Sequence, residues 1–195
     1  MVQTPELAAR ITQLADALFK SLSTVDSPTG VIASVQTPRG GPVPPGANLV
    51  LALEDIQDPG NVGTLLRSAA AAGAAHVLLS AGCAFAWSPK VLRSAMGAHF
   101  ALNIVEGADL GAFLGRYRGN SIALDARSGA SLYDLDLTKP SAFLIGNEGA
   151  GLSDAAAGTA KVRAHIPMPG RVESLNAATA GSICLFEAVR QRTTK

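Results

Sequence analysis

The sequence predicts an α/β protein built on a mainly parallel sheet with helices on both faces. Three observations carry this. From Leu49 onward, short apolar runs alternate with helix-length segments, the pattern of repeated β-α-β units. The composition is 48% hydrophobic but only 5% aromatic, so helices can approach strands through alanine and glycine while the apolar content shields both sheet faces. Third, three loop motifs begin where predicted strands end, at the sheet edge where ligands of such folds collect.

The elements follow in order. Leu7, Ile11, Leu14, Leu18 and Phe19 recur at helical spacing and predict an amphipathic helix over Thr4–Leu22. Ser27-Pro28-Thr29-Gly30 reads as a turn, Gly30–Gln36 as a short strand, and the proline- and glycine-rich Thr37–Gly46 as a linker. Residues 1–46 therefore form an N-terminal segment and 47–195 the main domain. There the expected strands are Leu49–Leu53, His76–Leu79, Ala101–Val105, Ser121–Leu124, Ala142–Ile145 and Val162–Ile166. The expected helices are Asn61–Ala72, Pro89–Met96, Leu110–Tyr117, a short one after Ser153, and Leu175–Gln191.

A formal charge of +1 gives no general basic surface, so contact with nucleic acid would need local clusters. Candidates are Arg67, Lys90, Arg93, Arg116, Arg118, Arg127, Arg163 and Arg171. Cys83 and Cys184 lie in apolar surroundings without CxxC spacing, which points to reduced thiols in a cytoplasmic protein. His76, His99 and His165 lack metal-ligand spacing, so no metal is expected. No run is long enough to span a membrane, and no signal peptide opens the chain.

The first motif is Ala52-Leu-Glu-Asp-Ile-Gln-Asp-Pro-Gly-Asn-Val-Gly-Thr-Leu-Leu-Arg67. Asp58 and Pro59 look like an N-cap followed by the proline favoured at the first helical position. Arg67 lies four residues after Gly63, on the same helical face, where no bulky side chain blocks an approaching phosphate. The second motif, Phe143-Leu-Ile-Gly-Asn-Glu-Gly-Ala-Gly-Leu-Ser153, follows a buried strand but is not GxGxxG, so a dinucleotide site is not the natural inference. The third, Ile166-Pro-Met-Pro-Gly-Arg-Val-Glu-Ser-Leu-Asn-Ala177, is a loop stiffened by prolines that leads into the last helix, with Ser174 a good N-cap.

Together these motifs resemble the signature of the SpoU-type (TrmH-like) RNA ribose 2′-O-methyltransferases of the SPOUT superfamily, from about Ala47 to the C-terminus. The resemblance implies transfer of a methyl group from S-adenosylmethionine to a ribose 2′-hydroxyl of rRNA or tRNA. Asn61, Arg67, Glu148, Ser174 and Asn176 inherit active-site roles. Leu144, Ile145, Gly146, Gly149, Ile166, Pro167, Met168, Ser174, Leu175 and Asn176 inherit the cofactor pocket. Local alternatives are a cap at Asn61, a solvated Arg67, and a Glu148 that serves only the start of the next helix.

Pattern alone gives an ordinary open sheet, since knots are nearly absent from proteins. A C-terminal deep trefoil knot is implied by the resemblance only. So is an antiparallel homodimer in which the arginine faces the partner's pocket; Leu185, Phe186 and Val189 of the last helix suit that contact or the core equally. Relatives often carry an N-terminal domain resembling ribosomal protein L30e, and residues 1–46 read as the remnant of such an RNA-binding domain. Two other activities fit the same fold: a base-directed SPOUT methyltransferase, and a non-catalytic protein that binds RNA or cofactor. The pairing of Asn61-Val-Gly63 with Ser174-Leu-Asn176 favours ribose.

Overall fold

A computed structural model describes residues 11–25 and 27–193. The chain divides into two compact units, Met1–Thr37 and Pro38–Lys195.

In the first unit the described residues hold one helix, α1 (Asp16–Leu22), which buries none of its residues. The expected helix over Thr4–Leu22 is thus shorter. Residues 11–15 are not helical, and 4–10 lie outside the described residues. An apolar stripe stabilises a helix by packing, and seven residues without burial gain little from it. The strand expected over Gly30–Gln36 is absent as well, because no neighbouring strand completes its hydrogen bonds.

The second unit is a six-stranded sheet with strands β1 (Leu49–Leu53), β2 (His76–Leu79), β3 (Asn103–Val105), β4 (Asn120–Leu124), β5 (Ser141–Ile145) and β6 (Val162–Ala164). Their spatial order is β3-β2-β1-β5-β4-β6, and every pairing is parallel. The expected β3 and β6 were each longer. At β3 a 3₁₀ turn, Ala98–Phe100, closes on Ala101 and delays the strand. At β6 the chain leaves the ladder early: His165 donates to Ala130 O at 2.8 Å and accepts from Leu132 N at 2.8 Å.

The sheet lies between two helical layers, and the alternation along β1 divides the core. Leu49, Leu51 and Leu53 face the cluster formed with α2 (Pro59–Ala71), α3 (Pro89–Ala95) and α6 (Ala177–Thr193). Val50 and Ala52 face Leu110, Phe113 and Leu114 of α4 (Leu110–Arg116), with Ala156 and Ala157 of α5 (Asp154–Thr159). Ala47 joins this second cluster, and so does Val43, which lies within the stretch expected as a linker. Helix starts are fixed by side-chain caps: Asp58 on α2, Ser88 on α3, Asp109 on α4 and Ser153 on α5. Helices α2 and α6 approach closely through small residues. A Cβ at Gly181 would collide with Leu65, and the Ser68 and Ser182 hydroxyls share a hydrogen bond of 2.7 Å.

The strand order reverses between β1 and β5, which makes the carboxyl ends of these two strands the switch point of the sheet. The first motif leaves β1 there, and the second leaves β5. Among the described residues no helix is long and apolar enough to cross a membrane.

Candidate active site

The loop after β1 turns sharply at Asp55, a non-glycine residue at φ 53°. Ser80 Oγ steadies the turn by donating to Asp55 Oδ1 at 2.5 Å and accepting from Asp55 N at 2.9 Å. Asp58 then caps α2 by accepting from Asn61 N at 2.8 Å, with Pro59 in the first turn. Since Asp58 holds the cap, the Asn61 side chain is left to point elsewhere. Its Nδ2 donates to Glu148 Oε1 at 2.9 Å, and its Oδ1 accepts from Asn176 Nδ2 at 2.9 Å.

The direction of this chain of bonds is set by backbone. Asn176 Oδ1 accepts from Ala178 N at 2.9 Å and Thr179 N at 3.2 Å, so its amide nitrogen must face Asn61, whose nitrogen must in turn face the carboxylate. Asn176 is therefore the cap of α6. Ser174 was the expected cap, but α6 starts at Ala177 and only the residue just before it can reach the first free N–H groups. Ser174 instead lines a cavity.

Glu148 also accepts from Gln57 N and Asp58 N, each at 3.3 Å. Burial pushes its carboxyl up, but the donors, Asn61 first among them, outweigh burial and hold it below the usual carboxylate range. Asn147, given no role from the sequence, organises the same loop. Its Oδ1 accepts from Gly149 N and Ala150 N at 2.9 Å, and its Nδ2 donates to Asp55 O at 2.8 Å.

Beside this network lies a cavity of about 400 Å³. Ile145, Ile166, Leu175, Ala177 and Ala180 give it an apolar floor, and Gly146, Gly149, Met168 and Ser174 contribute to its wall. Leu144 is fully buried on the opposite sheet face, as alternation along a strand requires, and its side chain takes no part. Nor do Pro167 and Asn176 line the cavity. Asp125, Arg127, Asp154 and Arg163 do, and the sequence reading gave them no place in the pocket. The signal was present: Asp125 and Arg127 follow β4, and ligands gather at such strand ends.

Arg67 stands apart. It is exposed on the outer face of α2 with Gly60, Thr64 and Ala71, lies outside the cavity wall, and makes no hydrogen bond or ion pair with the described residues. On α6 the three candidate contact residues separate: Leu185 is 0% exposed and belongs to the core, Phe186 is 47% exposed, and Val189 is half-buried. Burial pushes the Cys184 thiol up to about 12, and no group of three or more His, Cys, Asp or Glu among the described residues is placed to hold a metal.

A family model described as the SpoU rRNA Methylase family matches residues 48–186. An uncharacterized tRNA/rRNA methyltransferase of Synechocystis sp. is 38% identical over 181 residues, covering 91% of this chain and 66% of that protein. The 23S rRNA (guanosine-2'-O-)-methyltransferase RlmB of Xylella fastidiosa is 38% identical over 151 residues, or 76% of this chain and 61% of that protein. The chain thus spans somewhat under two thirds of the length of these relatives. Among solved structures, the SpoU methyltransferase AviRb of Streptomyces viridochromogenes in complex with AdoMet superposes with a TM-score of 0.82 at 31% identity, covering 100% of this chain and 80% of that one.

Proposed function

The chain belongs to the SpoU rRNA methylase family, and on that premise we propose that it transfers a methyl group from S-adenosylmethionine to a ribose 2′-hydroxyl of rRNA or tRNA in the cytoplasm. The observation that carries this reading is the hydrogen-bonded run Glu148–Asn61–Asn176 beside a cavity of about 400 Å³ with an apolar floor and a charged rim. That volume and lining suit a nucleoside-sized ligand. Ile166 and Met168 fit the adenine, and the carboxylates of Asp125, Glu148 and Asp154 suit a cationic ligand. The cofactor supplies an electrophilic methyl group on a sulfonium.

The protein's own part is binding and orientation, which in well-aligned reactions contributes about 7–11 kcal/mol. Glu148, held as a carboxylate, fixes the Asn61 amide, and Asn61 fixes Asn176. Each amide nitrogen keeps a second N–H beyond the one used in the network, a donor available to the ribose oxygens. Arg67, always protonated, acts as a clamp on the phosphate next to the target ribose rather than as a base. Ser174 on the cavity wall adds a hydroxyl within the same mouth.

Arg67 reaches RNA bound at a partner's cavity in a homodimer. Its exposure, its lack of a partner among the described residues and the exposed Phe186 support that arrangement. The C-terminal trefoil knot is part of the same reading. The end of α6 is tied to residues 135–139 of this region: Gln191 donates to Leu135 O and accepts from Leu137 N, and Arg192 donates to Leu137 O and Lys139 O.

Incubation with methyl-labelled S-adenosylmethionine and total RNA, followed by digestion to nucleosides, tests the function. Label in 2′-O-methylnucleosides is expected; label only in bases, or none, overturns it.

A further inference from the structure

The loops after β1 and β5 are joined at three places. Asn147 and Glu148 make two of the joins, at the near end of the second loop. Glu54, at the carboxyl end of β1, makes the third at the far end. Its carboxylate takes both donors of one residue: Oε1 accepts from Ser153 Oγ at 2.6 Å, and Oε2 accepts from Ser153 N at 2.9 Å. Glu54 N donates to Ile145 O at 2.8 Å, which fixes its own backbone to β5. Ser153 Oγ in turn accepts from Ala156 N at 3.1 Å and caps α5.

Residues on both sides of Ser153 line the cavity: Gly149, Ala150, Gly151 and Leu152 before it, Asp154 and Ala157 after it. The Gly-Ala-Gly run has no side chain larger than a methyl with which to hold itself, and Gly151 adopts φ 74°. Asn147 holds the near part of that wall, by exchanging two backbone bonds of 3.0 Å with Gly151 and accepting from Gly149 N and Ala150 N, which leaves the far part, from Leu152 to Asp154, to the hold on Ser153. Glu54 does not line the cavity and touches nothing in the polar network.

We propose that Glu54 is a positioning residue, which through Ser153 holds the 152–154 part of the wall in the shape that accepts the methyl donor. This rests on the reading of the cavity as the S-adenosylmethionine site. Glu54→Gln places an amide donor or a neutral oxygen where two charge-assisted bonds were accepted. Affinity for S-adenosylmethionine should fall about tenfold, while turnover at saturating cofactor stays within about twofold of wild type.

Two variants at Ser153 separate the clamp from the cap. Ser153→Asp keeps a good N-cap but sets a second carboxylate against Glu54, whereas Ser153→Thr keeps both the hydroxyl and the N–H. Calorimetric titration of the full chain with S-adenosylmethionine should rank Ser153→Thr with wild type and Ser153→Asp with Glu54→Gln. Amide hydrogen exchange across 152–154 in the cofactor-free protein should quicken in Glu54→Gln, a readout that needs no ligand. Wild-type affinity in Glu54→Gln or in Ser153→Asp, or unchanged exchange in Glu54→Gln, overturns the role of Glu54. Failure of the wild-type protein itself to bind S-adenosylmethionine overturns the reading of the cavity instead.

Discussion

At Glu148, withdrawal from water favours the neutral acid, while the donors around it favour the anion. Burial acts first and upward, and the N–H groups of Asn61, of Glu148 itself, of Gln57 and of Asp58 together reverse it. The folded protein thus binds this proton more weakly than the unfolded chain does. Such a group contributes stability that is complete above its ordinary value of 4.5 and is lost as pH falls through the lower folded value. The melting temperatures of wild type and Glu148→Gln should therefore differ by a constant gap from pH 7 down to about 5 and converge below that. A gap that persists unchanged to about pH 3 would show that the bonds to Glu148 do not discriminate its charged form. That Asn61, Glu148 and Asn176 belong together was implied by the resemblance of the three motifs to the family signature, which carries all three. The wiring of the network was not. Which residue caps α6 depends on where the helix begins, and Asn176 displaces Ser174 by a shift of two positions in that start.

Among the elements, α6 carries the most cross-chain work. Its first residues line the cavity, its middle packs on α2 at Gly181, and its last turn satisfies the backbone of residues 135–139. Arg192 Nε donates to Leu137 O at 2.8 Å, and Nη2 donates to Lys139 O at 2.8 Å and Asn48 O at 3.3 Å. Removing this guanidinium strands several carbonyls at a partly covered surface. Arg192→Ala is expected to cost about 2 kcal/mol, or roughly 4–8 °C in melting temperature, with cofactor affinity preserved. Equal denaturant midpoints for variant and wild type would show that water replaces the guanidinium without loss. The anchoring was hidden in the sequence because its acceptors are backbone atoms 53, 55 and 144 positions away, which no side-chain pattern reveals. The strands were far easier to read. Buried on both faces, β1, β2 and β5 appear as continuous apolar runs bounded by polar residues. Short edge strands such as β3 and β6 carry too few residues for a pattern, and their ends are decided by the loop bonds at Ala101 and His165.

For the whole molecule, the decisive question is whether one chain builds a complete site. Each cavity has its carboxylate and amides from the same chain, but Arg67 points outward from α2 with no partner among the described residues. In a two-fold dimer every site would take its cavity from one subunit and its arginine from the other. Two inactive variants should then complement each other. Arg67→Ala lacks the clamp but keeps the network, and Glu148→Ala keeps the clamp but loses the network. When the two are unfolded together and refolded as an equal mixture, half the dimers are mixed. Each mixed dimer holds one site with an intact cavity facing an intact arginine, so the mixture should recover about a quarter of wild-type activity. Were Arg67 to serve the cavity of its own chain, both sites of a mixed dimer would carry one defect each. Methyl transfer by the mixture would then stay at the level of the separate variants.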